Sequence, residues 1–313
     1  MSQTLLLMGP LFEATMTELE TTYKVERYWE ASDKTALLNS ISDKCAGVVT
    51  DGGAGVSNDI LKQLPNVKVV SVFGVGVDAV DLDYCRTQGI SVGNTPDVLS
   101  DDVADLAVAL ALATCRQLVT GDQYARDGQW PVHGAMPLTT RMMGKSAGIY
   151  GMGSIGSCLA RRLNAFEMPV SYCNRSQKQD SPYKFVASLE QLAHESDFLF
   201  ITAAATQGTI GSVDRSVLDA LGPRGYLINV SRGTLIDEPV LVEYLANNKI
   251  AGAGLDVFHS EPDIPASLFG LRNVVLQPHN ASGTHETRQA MGNLMLKNLN
   301  KGLSGVPMSA QVV

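Results

Sequence analysis

The chain has 313 residues, 45% of them apolar, and a formal net charge of −8; that suits about two packed domains, and the acidic balance argues against a nucleic-acid partner. The longest uncharged apolar run, residues 107–115, is far short of the ~20 residues a spanning helix needs, and the N-terminal MSQTLLLMGP has no basic region of a signal peptide. Five cysteines without a CxxC pair fit reduced thiols and neither a disulfide frame nor a metal site, so a cytoplasmic protein without a membrane partner is expected.

Short apolar strands are predicted at residues 4–8, 24–28, 47–50, 67–73 and 90–93, with helical stretches between most of them. Such alternation implies a parallel sheet covered on both faces. A long helix then starts near Ser100, capped by Ser100 or Asp101, and runs to about Val119. It is apolar nearly all round, which predicts burial between layers or at a subunit interface. Residues 121–144, with Trp130, Pro131, His133 and Pro137, show little periodicity and read as a loop that serves as an arm or lid. A second α/β series follows, with strands at 147–150, 170–173, 198–202, 225–230, 252–257 and 274–276. Its helices start near Ile155, Ser188, Asp214 and Asp237, and a last helix covers 284–303.

The second series opens on Gly151-Met152-Gly153-Ser154-Ile155-Gly156, a glycine turn between a strand and a helix. In a dinucleotide site the first glycine permits the tight turn, the second admits the pyrophosphate, and the third lets helix and strand pack closely. The helix N-terminus offers amide groups to the phosphates. A glycine turn that binds nothing is the alternative. After the next strand comes Asn174-Arg175-Ser176, with no acid until Asp180. An acid about 20 residues past the glycines would suit the ribose of NAD, whereas an arginine suits the 2′-phosphate of NADP. The residues therefore favour NADPH over NADH, against an ordinary polar turn.

Arg232 in NVSRGT, Glu261 in HSEP and His279 in QPHNAS follow successive predicted strands, at the sheet end where open α/β folds bind ligands. An arginine there can hold a carboxylate by two parallel hydrogen bonds. A histidine held by a carboxylate keeps one tautomer and a raised pKa, and so can protonate an alkoxide as hydride arrives. Phe73-Gly74-Val75-Gly76-Val77-Asp78 is a second glycine turn, either an anion-binding nest of amides or simply a tight connection.

Together these segments resemble the D-isomer-specific 2-hydroxyacid dehydrogenase family. The matches are GVGVDAVD (74–81), NTPDVLSDDVADLA (94–107), GMGSIG (151–156), NVSRGTLID (229–237), GAGLDVF with the following EP (252–262) and PHNASGTHETR (278–288). They span almost the whole chain, in the family's order. The chain is most similar to the NADPH-dependent hydroxypyruvate, glyoxylate and hydroxyphenylpyruvate reductases.

The resemblance implies an α/β fold of two Rossmann-like or flavodoxin-like domains with parallel sheets. A cofactor domain (99–284) would be inserted in a discontinuous substrate domain (1–98 plus 285–313). Arg232 would bind the keto-acid carboxylate and carbonyl, His279 would donate the proton, and Glu261 would hold His279. The Val75 and Gly76 amides would complete the carboxylate site. Asp256 and the Val230 backbone would meet the nicotinamide carboxamide, and Arg175 and Ser176 the 2′-phosphate. Trp130 would reach a partner's active site across a homodimer. Where the family has Pro-Leu-Thr this chain has Ala204-Ala205-Thr206, so Thr206 is a cofactor contact on a loop that sits differently. Asp51-Gly52-Gly53-Ala54 is smaller than in relatives and points to a wider substrate pocket. The activity implied is NADPH-dependent reduction of a 2-keto acid (glyoxylate, hydroxypyruvate or aryl pyruvate) to the D-2-hydroxy acid. The competing reading is a nucleotide-sensing binding protein on the same fold. Formate or phosphite oxidation fits poorly, because formate dehydrogenases of this fold carry Gln where Glu261 stands.

Overall fold

The structure, a computed structural model, describes residues 3–313. The chain divides into two compact units, one of Met1–Leu99 with Ser282–Val313 and one of Ser100–Ala281.

The first unit alternates β1 (Thr4–Leu7), α1 (Glu13–Thr22), β2 (Lys24–Arg27), α2 (Lys34–Ile41), β3 (Cys45–Asp51), α3 (Asn58–Lys62), β4 (Val69–Phe73), α4 (Leu82–Gln88) and β5 (Ser91–Gly93). Its five strands are all parallel, in the order β2-β1-β3-β4-β5. The strands β1 and β4 are buried from end to end, as a sheet covered on both faces requires. The charged KVER of β2 lies at an edge, where lysine and arginine discourage further strand pairing. Asp33, Ser57 and Asp81 each accept an amide of the helix they precede, a cap worth about 1 kcal/mol.

The second unit contains α5 (Ser100–Cys115), α6 (Leu118–Arg126), α7 (Trp130–His133), β6 (Ala147–Tyr150), α8 (Ser154–Ala165), β7 (Val170–Cys173), β8 (Lys184–Phe185), α9 (Leu189–His194), β9 (Phe198–Ile201), α10 (Arg215–Leu221), β10 (Tyr226–Asn229), α11 (Glu238–Ala246), β11 (Gly252–Leu255) and β12 (Val274–Leu276). Its seven strands are parallel, in the order β12-β11-β10-β9-β6-β7-β8. The chain leaves β6 toward β7 on one side and later returns to β9 on the other. Such a reversal opens a crevice at the carboxyl ends of the strands. The chain then closes the first unit with α12 (His285–Leu303), which packs on β4 and α1.

Three local expectations are corrected. The long helix does not reach Val119: α5 stops at Cys115 and Gln117 adopts a left-handed φ of 51° before α6 begins. The Cys115 carbonyl instead accepts the amide of Thr140. Neither Ser100 nor Asp101 caps that helix, since the Ser100 hydroxyl is buried without a partner and Asp101 binds Arg161 and Arg162. The stretch 121–144 is not all loop, because α6 carries an Asp122–Arg126 pair one turn apart and α7 starts at Trp130. Among the described residues no single helix is long and apolar enough to cross a membrane; α5 and α6 pass that test only as a pair bent by 58°. The two-residue strand β8 was not foreseen.

Candidate active site

The glycine turn after β6 is shaped by close approaches. Gly151 has φ +104°, and a Cβ on it would lie 2.4 Å from the Ala203 amide nitrogen. A Cβ on Gly156 would lie 2.3 Å from the Gly151 carbonyl oxygen, which also accepts the Thr202 hydroxyl at 2.7 Å. A Cβ on Gly153 would meet nothing within 4 Å, so the space beside that backbone is open. Helix α8 starts there with Gly153 as N-cap and no side-chain cap. The amides of Ile155 and Gly156 find no acceptor among the described residues. An open-sided glycine before uncapped amides is what a diphosphate needs, and these residues fit a dinucleotide.

At the end of β7 the three polar residues divide their work. Asn174 turns back, its Oδ1 accepting the Met152 amide at 2.7 Å, and so ties this strand end to the glycine turn. Arg175 and Ser176 are exposed, and among the described residues the Arg175 guanidinium has no carboxylate or hydrogen-bond partner. Thr206 sits in an exposed turn that Thr209 closes, its hydroxyl accepting the Thr206 amide at 2.8 Å. The Val230 amide donates to the Ile201 carbonyl at 3.3 Å.

Three neighbouring strands end in the acid–base groups. Past β10, the buried Asn229 shapes the turn that carries Arg232: its Nδ2 donates to the Arg232 carbonyl at 2.9 Å and its Oδ1 accepts the Ser231 amide at 3.0 Å. Gly233 follows, where a Cβ would lie 2.0 Å from the carbonyl carbon of Phe258. That approach draws the segment after β11 against the Arg232 turn. On this segment Glu261 accepts the Phe258 amide at 2.9 Å through Oε1 and faces His279 Nδ1 at 2.6 Å through Oε2. Burial pushes the Glu261 carboxyl up, but the bonds from His279 and Phe258 and the charges of His279 and Arg232 outweigh it and leave it below the ordinary value.

His279, past β12, is held in the left-handed region at φ 51°. Its amide donates to the Asp256 carbonyl at 2.8 Å. The Asp256 carboxylate, fully buried, accepts the Asn280 amide at 2.8 Å and the Ala281 amide at 3.0 Å. Burial raises its carboxyl above the ordinary value. Both oxygens therefore fix the turn that presents His279. Asn229 and Gly233 escaped the sequence reading. Their one signal is their position beside Arg232 in NVSRG.

In the first unit, Gly74 has φ +151°; its amide donates to the Thr95 hydroxyl at 3.0 Å, and the Asn94 side chain donates to the Val75 carbonyl at 2.8 Å. The amides of Val75 and Gly76 donate to nothing among the described residues. Trp130, on α7, is 67% exposed, near exposed Val132 and Leu138 in sequence.

A nucleotide-type glycine turn, on a sheet whose other strands end in an arginine and a carboxylate-held histidine, defines a nicotinamide-dependent oxidoreductase. The family is given by comparison. The sequence model described as "D-isomer specific 2-hydroxyacid dehydrogenase, NAD binding domain" matches residues 108–281, and the chain belongs to that family. It is similar to a glyoxylate/hydroxypyruvate reductase A of Arabidopsis thaliana, at 44% identity over 98% of both chains. It is equally similar to a hydroxyphenylpyruvate reductase of Plectranthus scutellarioides, at 44% identity over 98% of both. Among solved structures, it resembles the NADPH-dependent glyoxylate/hydroxypyruvate reductase of Sinorhizobium meliloti in complex with NADP and malonate. There the TM-score is 0.94, with 36% identity over 100% of this chain and 97% of that one.

Proposed function

We propose that this protein reduces a small 2-keto acid to the D-2-hydroxy acid with NADPH as reductant. The observation that carries the reading is the 2.6 Å pair of His279 and Glu261 beside the turn that holds Arg232. When bound, the nicotinamide supplies a hydride. Arg232 takes the substrate carboxylate and polarises its carbonyl. Glu261, kept ionised, makes His279 Nδ1 the donor to itself and leaves Nε2 to give its proton to the carbonyl oxygen as that oxygen gains charge. The amides of Val75 and Gly76 are further donors for the carboxylate.

The glycine turn and α8 hold the cofactor's diphosphate. Arg175 and Ser176 bind the 2′-phosphate, Thr206 lies by the ribose, and Asp256 with the Val230 backbone serves the carboxamide. The family match and the solved relative with NADP support a nicotinamide cofactor; Arg175, exposed and without a partner among the described residues, supports the phosphorylated form. Residues 99–284 form the cofactor domain, and 1–98 with 285–313 the substrate domain. The protein acts as a homodimer in the cytoplasm. Leu118, Val119, Trp130, Val132 and Leu138, close in sequence, are each exposed, and a partner subunit would cover such apolar side chains; Trp130 serves the partner's site.

An NADPH-oxidation screen over glyoxylate, hydroxypyruvate, branched and aryl 2-keto acids tests this reading. Turnover of at least one class is expected. Tight NADPH binding with no turnover, and nucleotide-dependent binding of a protein partner, would favour the sensor instead.

A further inference from the structure

Arg288, on the first turns of α12, is half-buried, and its guanidinium stacks over the Phe73 ring at 5.7 Å from the centroid. Its side chain makes no hydrogen bond and no ion pair within 4 Å among the described residues. Burying an unpaired guanidinium is costly, and one left so inside a single unit needs a reason. Burial pulls its proton affinity down, and the charge of Asp51 nearby acts against that.

Three loops at the carboxyl ends of the first sheet meet here. Phe73 ends β4 and leads into Gly74, where a Cβ would lie 3.6 Å from the Gly52 amide nitrogen. Asp51 ends β3, and its Oδ1 accepts the amides of Gly53 at 2.7 Å and Ala54 at 2.8 Å. From the β1 end, a Cβ on Gly9 would lie 3.5 Å from Asp51 Oδ2. The loop that carries Arg288's ring partner thus also carries the free amides of Val75 and Gly76.

We propose that Arg288 is a specificity-determining residue, which donates to a hydroxyl on the C3 atom of a 2-keto acid whose carboxylate is held by the Val75 and Gly76 amides. This rests on the reductase reading. A planar cation with several donors, fixed against a ring, rewards a polar substituent and gains nothing from a methyl or phenyl group. The Asp51 carboxylate, whose charge acts on Arg288, offsets the cation's attraction for a second substrate carboxylate, which favours a neutral hydroxyl. Gly52 and Gly53 contribute no side chain of their own. The preferred substrate class is therefore the 3-hydroxy-2-keto acids, ahead of 2-keto diacids and of alkyl or aryl pyruvates of similar size.

The test compares hydroxypyruvate with 2-oxobutyrate, which replaces the hydroxyl by a methyl group, and with oxaloacetate. In the wild type, kcat/KM is expected to rank hydroxypyruvate first. In Arg288→Met the KM for hydroxypyruvate is expected to rise about tenfold or more, the size of a lost charge-assisted hydrogen bond. The KM for 2-oxobutyrate and the NADPH Kd should stay within about twofold. Should Arg288→Met fail to fold, Arg288→Lys, which keeps charge and stem but not the fork, is read on the same acids, with a smaller loss confined to hydroxypyruvate expected. Equal losses on hydroxypyruvate and 2-oxobutyrate in a variant of normal Tm would overturn this inference alone and make Arg288 a structural cation. A wild type that turns over no 2-keto acid would overturn the reductase reading, and this inference with it.

Discussion

His279 Nδ1 lies 2.6 Å from Glu261 Oε2, while the other oxygen of the same carboxylate takes the Phe258 amide at 2.9 Å. The backbone bond fixes the carboxylate, and the carboxylate fixes the imidazole. Because the Glu261 carboxyl stays below its ordinary value, it remains charged through the neutral range and keeps its hold on the ring nitrogen. Glu261→Gln keeps the shape and removes the charge. Turnover of the keto acid should then fall in kcat, with NADPH affinity unchanged. An unchanged kcat would show that the charge of Glu261 has no part in the reaction.

The glycine turn separates folding from ligand approach. Gly151→Ala combines a left-handed φ with a collision against the Ala203 backbone, and should cost more than about 2 kcal/mol of stability. Gly153→Ala adds a methyl group to open space. Its Tm should match the wild type within about 2 °C while NADPH affinity falls at least tenfold. Thermal unfolding with and without NADPH reads both, and a Gly153→Ala protein with normal affinity would remove the phosphates from that side of the turn.

Arg175 carries the choice of cofactor. Arg175→Ala should weaken NADPH binding about ten- to hundredfold, the loss of a charge-assisted contact of roughly 1.5–3 kcal/mol. NADH binding should change little. Nucleotide titrations at fixed salt check this, and equal losses for both nucleotides would end the case for the 2′-phosphate.

Away from the site, Glu243 accepts Arg215 Nη2 at 2.6 Å and Lys249 Nζ at 2.7 Å. The hydrogen bond from Arg215, then that from Lys249, hold its carboxyl down from 4.5 to about 2. A carboxyl depressed in the folded state adds stability above its ordinary value, and that contribution fades as pH falls toward the folded value. The Tm difference between wild type and Glu243→Gln should be present at neutral pH, shrink below about pH 4.5 and vanish near pH 2, and should shrink in high salt because the cluster is exposed. A difference independent of pH would deny the ion pairs this role.

Much of this architecture was legible because local signals agreed with the fold. Apolar runs of strand length recur between amphipathic stretches, and Ser188, Asp214, Asp237 and Thr284 stand where α9, α10, α11 and α12 are capped. Arg232, Glu261 and His279 could be linked because each follows a strand, and β10, β11 and β12 are neighbours in the sheet. What stayed hidden depends on partners distant in sequence. The break at Gln117 comes with the Cys115 carbonyl taking the Thr140 amide, and β8 is two residues paired with Ser171 and Tyr172. The hold of the Asp256 carboxylate on the amides of Asn280 and Ala281 also needs the fold, since they lie 24 and 25 residues further on. Arg288 ends the segment PHNASGTHETR, and only the fold brings Phe73 beneath it.

The central claim is that His279 delivers the proton during NADPH-dependent reduction of a 2-keto acid. The most direct measurement is NADPH oxidation by wild type and His279→Ala under saturating hydroxypyruvate, with NADPH affinity measured alongside. The expected result is a fall in kcat of about 10²–10⁴-fold with NADPH affinity retained. A His279→Ala enzyme that turns over within a few-fold of wild type would contradict the account.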